Sequence, residues 1–301
     1  MRILMPIDGN ACSKAAVDFV ASRATLLKNP TYVELFNVQY PIPMRVTRAL
    51  GKEIVHAHHD QEAGKILKRP EAKLRRAGAT ANSRYAVGTI DRDLVEVVRK
   101  DPADVIVIGS HGDSGLTHFL FGSVADKIAA ACTKPLLILR SELAPKHNSL
   151  KVGIALDGSK YGVAAARFIA KHAALLGEKP SVFMVHVAPE LETLTVHGWI
   201  DRQVKTGILP EHAAAMHQAA FDSVFGPVKT ILKDAGIQAK EVQLVGGDAG
   251  QEIATYASKN KLDLLVMGSL GFGTNRFSPV GSVANRVASR VRTPLLLIRE
   301  L

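Results

Sequence analysis

A chain of 301 residues that is 47% hydrophobic exceeds the length at which one core usually stops growing, so two domains of about 150 residues are expected. Its formal charge of +10, from 38 Lys+Arg against 28 Asp+Glu, suits an acidic partner such as a nucleotide, a nucleic acid or anionic lipid. That charge is diffuse and aromatics make up only 5%, which argues against a specific nucleic-acid surface and against base stacking.

The densest basic cluster, Lys65, Lys68, Arg69, Lys73, Arg75 and Arg76, reads as a solvated helix face. Cys12 and Cys132 are too few for a disulfide framework and lack CxxC spacing, which points to a reducing compartment, the cytoplasm. The apolar start of the chain is broken by Asp8 too soon for a signal peptide, and no apolar run approaches the length of a membrane span.

In chain order the first half reads as a strand at 2–7, a helix, a strand at 32–38, a long helical crossover, a strand at 82–87, a helix, a strand at 104–108, a glycine loop, a helix and a strand at 135–139. Within the crossover, His56, His59 and Asp60 fall at i, i+3 and i+4 of a helix, a spacing that offers part of a zinc site. One helix supplies too few ligands, however, so a solvent-exposed histidine patch is expected and no metal. A polar linker follows at Ser141 to Leu150, dividing the chain into domains at 1–142 and 149–301.

The second half then repeats the first. Ile3 to Val17 aligns with Val152 to Ala166 at an offset of 149 (157 − 8), and Glu34 to Val38 falls on Phe183 to Val187. Gly88 pairs with Gly247 and Gly109 with Gly268 at 159 (268 − 109), placing ten extra residues between the second and third strands of the second copy. The repeat predicts strands at 151–156, 181–187, 240–245, 263–267 and 295–299. In that extended crossover His197, His212 and His217 are scattered, and Trp199 reads as core packing. Continuous aliphatic runs such as Val105 to Ile108 suit strands buried on both faces, and their alternation with helices predicts two doubly wound, Rossmann-like parallel sheets of five strands in tandem.

After the fourth strand the first copy reads Gly109-Ser-His-Gly112, then nine residues and Gly122-Ser123; the second reads Gly268-Ser-Leu-Gly271, then nine residues and Gly281-Ser282. Glycines admit an anion close to the backbone, and a helix starting at the Gly-Ser pair directs N–H groups and its positive end at phosphate. Asp8 and Asp157 end the first strands, beside these loops at the switch point of such a sheet, where a carboxylate can accept ribose hydroxyls; alone, each would read as a helix cap. No Gly-Lys-Ser/Thr makes either loop a Walker A, and neither follows the first strand as a dinucleotide fingerprint would.

Both halves resemble the universal stress protein family, and their arrangement resembles its tandem-domain members, over essentially the whole chain. In family members that bind ATP the glycines and the Gly-Ser pair surround phosphates and ribose, the strand-one Asp meets the ribose, and a Val after strand two lines the adenine pocket. The resemblance therefore implies Asp8, Val38, Gly109, Gly112, Gly122 and Ser123 in one site, and Asp157, Val187, Gly268, Gly271, Gly281 and Ser282 in the other. It implies ATP, ADP or AMP as ligand, with Mg²⁺ an open companion, and a stress-response regulator or sensor. The first loop keeps the usual form, whereas in the second Leu270 stands where a polar or basic residue is common and Pro279 removes an N–H.

No catalytic set is expected. His111 and Asp113 in the first loop are replaced by Leu270 and Phe272 in the second, and nothing resembles a nucleophile, base and orienter. Slow ATP hydrolysis, or a scaffold that holds another ligand such as a lipid, stays open. The last strands, Pro135 to Leu139 and Pro294 to Ile298, would be apolar sheet edges. The resemblance implies that they pair across a pseudo-twofold, making one chain a built-in dimer; a further homodimer is left open.

Overall fold

The computed structural model describes residues 1–110, 123–140, 144–188, 210–271 and 280–299, with backbone alone at 123 and 210–217. His111, Gly112, Asp113, Gly122, His197, Trp199, Phe272 and Pro279 lie outside the described residues. In the first half β1 (Arg2–Pro6), β2 (Tyr32–Gln39), β3 (Thr80–Val87), β4 (Val105–Gly109) and β5 (Leu136–Leu139) alternate with α1 (Ala11–Ala21), α2 (Ala24–Leu27), α3 (Met44–Leu50), α4 (Lys52–Arg76), α5 (Val95–Lys100) and α6 (Ser123–Ala131). The second half carries β6 (Lys151–Ala155), α7 (Lys160–Lys171), β7 (Ser181–Ala188), α8 (Pro210–Asp234), β8 (Ala239–Val245), α9 (Ala249–Lys259), β9 (Leu264–Gly268), α10 (Ser282–Arg290) and β10 (Leu295–Ile298).

All ten strands form one sheet in the order β3-β2-β1-β4-β5-β10-β9-β6-β7-β8. Every pairing within a half is parallel, and the halves join through the antiparallel pair β5–β10, with Leu137 opposite Leu296. The expected tandem of doubly wound sheets is thus present, and the two apolar edges cover each other. Side chains alternate between two cores, as the two-residue period of a strand requires: Val105 and Val107 pack with α1, whereas Ile106 and Ile108 pack with α6. Among the described residues no helix is long and apolar enough to cross a membrane.

The register revises the repeat. Val38 pairs with Ala86 and Val187 with Leu244, so the third strands are related by 158 residues (244 − 86) and Gly88 corresponds to Gly246, not Gly247. Nine extra residues (158 − 149) lie between the second and third strands; the tenth sits between β8 and β9, where Ile3 beside Val105 matches Val152 beside Leu264 at 159 (264 − 105). Matching backbone bonds, Gly88 N–H to Gln39 C=O at 2.8 Å and Gly246 N–H to Ala188 C=O at 3.1 Å, fix the equivalence.

The linker is fastened to the first half by Arg23. Its fully buried guanidinium lies over the Phe19 ring at 4.8 Å and donates to the carbonyls of Pro145 at 3.1 Å and His147 at 2.6 Å. Desolvation pulls its pKa down to about 10, still high enough to stay charged at neutral pH.

Candidate functional site: two clefts at the carboxyl ends of the strands

Each half holds a cleft where its first and fourth strands end, the switch point of the sheet. The second cleft has about 640 Å³ of free space, and its lining includes Asp157, Val187, Gly268, Gly271, Gly281 and Ser282, together with Leu156, Ile253, Met267 and Leu270. The first cleft, about 480 Å³, is lined by Asp8, Val38 and Gly109, with Phe36, Ile90, Leu94 and Val124 adding apolar wall. Ser123 opens α6 beside it, while Gly112 and Gly122 lie outside the described residues. Both clefts combine apolar walls with a few polar groups, as small-molecule sites do.

Local sequence explains how the carboxylates are presented. Gly9 and Gly158 turn the chain at φ of +83° and +80°, which a side chain would strain. Behind that turn Asp8 accepts from the Asn10 N–H at 3.0 Å and from Asn10 Nδ2 at 2.6 Å; Asp157 accepts from the Ser159 N–H at 2.9 Å and its hydroxyl at 2.5 Å. Neither carboxylate is the helix cap. In α1 that role belongs to Asn10, whose Oδ1 accepts from the Ser13 N–H at 2.7 Å. Asp8 and Asp157 remain exposed at the cleft mouths.

The glycines have packing reasons of their own. A Cβ on Gly109 would stand 2.1 Å from the Cys12 carbonyl carbon, and one on Gly268 would stand 2.5 Å from Tyr161 Cβ, so each fourth strand ends hard against the first helix of its half. Gly271 differs, because its Cβ would stand 2.5 Å from Asp157 Oδ2 and would push that carboxylate aside at the mouth of the second cleft. Gly281 stands at the N-cap of α10 with no side chain to offer its first turn, and Ser282 and Val283 of that turn line the cleft.

Two pairs of polar residues were not singled out in the sequence. Asn37, 4% exposed, donates through Nδ2 to the Ile7 carbonyl at 2.7 Å and leaves Oδ1 buried with no partner among the described residues; at the same repeat position His186 places Nδ1 2.7 Å from the Leu156 carbonyl. Since a carbonyl only accepts, His186 Nδ1 carries the proton. Ser110 and Ser269, which follow the fourth-strand glycines, are 4% and 1% exposed, and neither hydroxyl has a hydrogen-bond partner among the described residues. Asn37, His186 and Ser269 line the clefts. A polar residue recurring inside an apolar strand at one repeat position was the available signal.

The histidine cluster divides between two environments. His56 Nδ1 pairs with Asp60 Oδ2 at 2.8 Å, and the Tyr85 hydroxyl donating to Asp60 at 2.7 Å is the main cause holding that carboxyl below its ordinary range. His59 turns the other way: it is buried, with Nδ1 2.7 Å from Gln39 Oε1, so the expected solvent-exposed patch is broken in its middle. Among the described residues no three His, Cys, Asp or Glu side chains are grouped to hold an ion.

The sequence matches the Universal stress protein family twice, over residues 1–140 and 149–299. The chain belongs to this family. It is similar to Universal stress protein Slr1230 of Synechocystis, 26% identical over 275 residues that cover 89% of this chain and 84% of that one. It is also similar to Universal stress protein Rv2005c of Mycobacterium tuberculosis, 24% identical over 307 residues and covering 99% and 97%. In fold it is similar to a universal stress protein from Archaeoglobus fulgidus, with a TM-score of 0.67, 17% identity and coverage of 99% and 98%.

Proposed function

We propose that this universal stress protein binds an adenine nucleotide, ATP, ADP or AMP, in its two clefts and acts as a stress-response sensor or regulator. The observation that carries this reading is the second cleft. Asp157, Val187, Gly268, Gly271, Gly281 and Ser282, far apart in sequence, line one open cleft of mixed apolar and polar wall. Its parts suit the parts of the ligand: apolar Val187, Ile253 and Met267 for a base, Asp157 for ribose hydroxyls, and the first turn of α10 for phosphates. The buried hydroxyl of Ser269 is a polar group awaiting a partner in the same cavity. A Mg²⁺ arriving with ATP would be held chiefly through the phosphates.

The test is isothermal titration with ATP, ADP, AMP and GTP, joined to an assay for ADP formation. Saturable binding of adenine nucleotides, weaker binding of GTP and no turnover above a Gly271→Leu control are expected. Absence of any heat with all four ligands would contradict the reading, and turnover above the control would favour a slow hydrolase.

A further inference from the structure

We propose that Arg299, at the end of the second half, is a positioning residue for the phosphate end of the first cleft. This rests on the nucleotide reading above and adds to it that the first cleft is completed from the other half of the chain. The geometry begins at β5–β10. Continuing that antiparallel register three residues beyond Leu296 opposite Leu137 sets Arg299 against Lys134, just past the end of α6. There Arg299 Nη2 donates to the carbonyl of Ala129, in the last turn of α6.

Carbonyls of a last turn lack an intrahelical donor; here the ladder closes with the Cys132 N–H to Ile128 C=O bond at 2.8 Å, and Arg299 takes the next carbonyl. A cation at this end also complements the helix dipole, and the partly buried guanidinium is poorly screened by water. The other end of α6 is the first cleft, where Ser123 opens the helix and Val124 forms part of the wall. A helix is stiff along its axis, so a hold on Ala129 sets the depth at which the first-turn N–H groups meet phosphate.

Arg299 is itself anchored in the second half. Ile298 pairs with Gly268, and the Ser269 N–H donates to the Ile298 carbonyl at 2.8 Å. The end of the second fourth strand, which lines the second cleft, is therefore one residue from the group that holds the helix of the first. Arg140 stands at the equivalent position, buried, and the same register sets it against Thr293 just beyond α10.

The test measures ATP and adenosine at the first cleft by calorimetry, in the full chain with its second cleft closed by Gly271→Leu, or by Asp157→Ala if the leucine lowers Tm. Arg299→Met is expected to weaken ATP roughly fivefold or more while adenosine stays within about twofold, and Arg299→Lys to restore most of the loss. Equal weakening of ATP and adenosine, or no weakening of ATP, would overturn the positioning role and leave the nucleotide reading standing. If neither ligand binds the unsubstituted chain, the nucleotide reading fails and this inference falls with it.

Discussion

Gly109 and Gly268 end their strands with no room for a side chain, since a Cβ at Gly109 would lie 2.1 Å from the Cys12 carbonyl carbon. Gly109→Ala is expected to lower stability in urea by about 1–3 kcal/mol, because helix backbone has to move. Gly271→Ala intrudes on Asp157 instead and is expected to affect second-cleft binding more than Tm. If the two variants lose stability and binding in the same proportion, the division between packing and ligand glycines is wrong. Both glycines were legible as part of a repeated pattern; what each touches was not, because a glycine in sequence carries no record of its neighbour. Asn37 was missed for a related reason. Its value as a site residue comes from the Ile7 carbonyl and the buried Oδ1, both set by pairing with a strand some thirty residues away.

At the scale of elements the strands were readable because aliphatic runs buried on both faces leave an unbroken apolar signal, as in Val105 to Ile108. The one-residue addition between β8 and β9 was not, since a turn tolerates length without altering the apolar pattern on either side. Helix ends also carry a pH dependence. His172 follows α7, packs on Phe168 with ring centroids 4.7 Å apart, and burial holds its pKa below the ordinary 6.5. With the folded pKa depressed, the unfolded chain binds more protons in the window below 6.5, so stability falls as pH drops through that window and levels off beneath the folded value. His172→Gln is expected to flatten this acid limb of the Tm profile below pH 6.5. An unchanged limb would assign the acid sensitivity elsewhere.

For the whole molecule, the sheet is continuous only because Leu136, Leu137 and Ile138 meet Leu295, Leu296 and Leu297 in antiparallel register. The apolar character of both edges foretold that something covers them; that the cover is the other half followed from the family resemblance rather than from the strands themselves. Leu296, 0% exposed, has no route to water for a charge, so Leu296→Lys is expected to cost about 3 kcal/mol or more and to make the linker a target of limited proteolysis. A folded variant with an uncut linker would contradict the role given to this pair. The central claim, two equivalent nucleotide clefts on one sheet, is tested most directly by native mass spectrometry of the chain with ATP, alongside Asp8→Ala and Asp157→Ala. The account predicts up to two nucleotides per chain and one fewer in each variant; a chain that carries none, or variants that keep both, would contradict it.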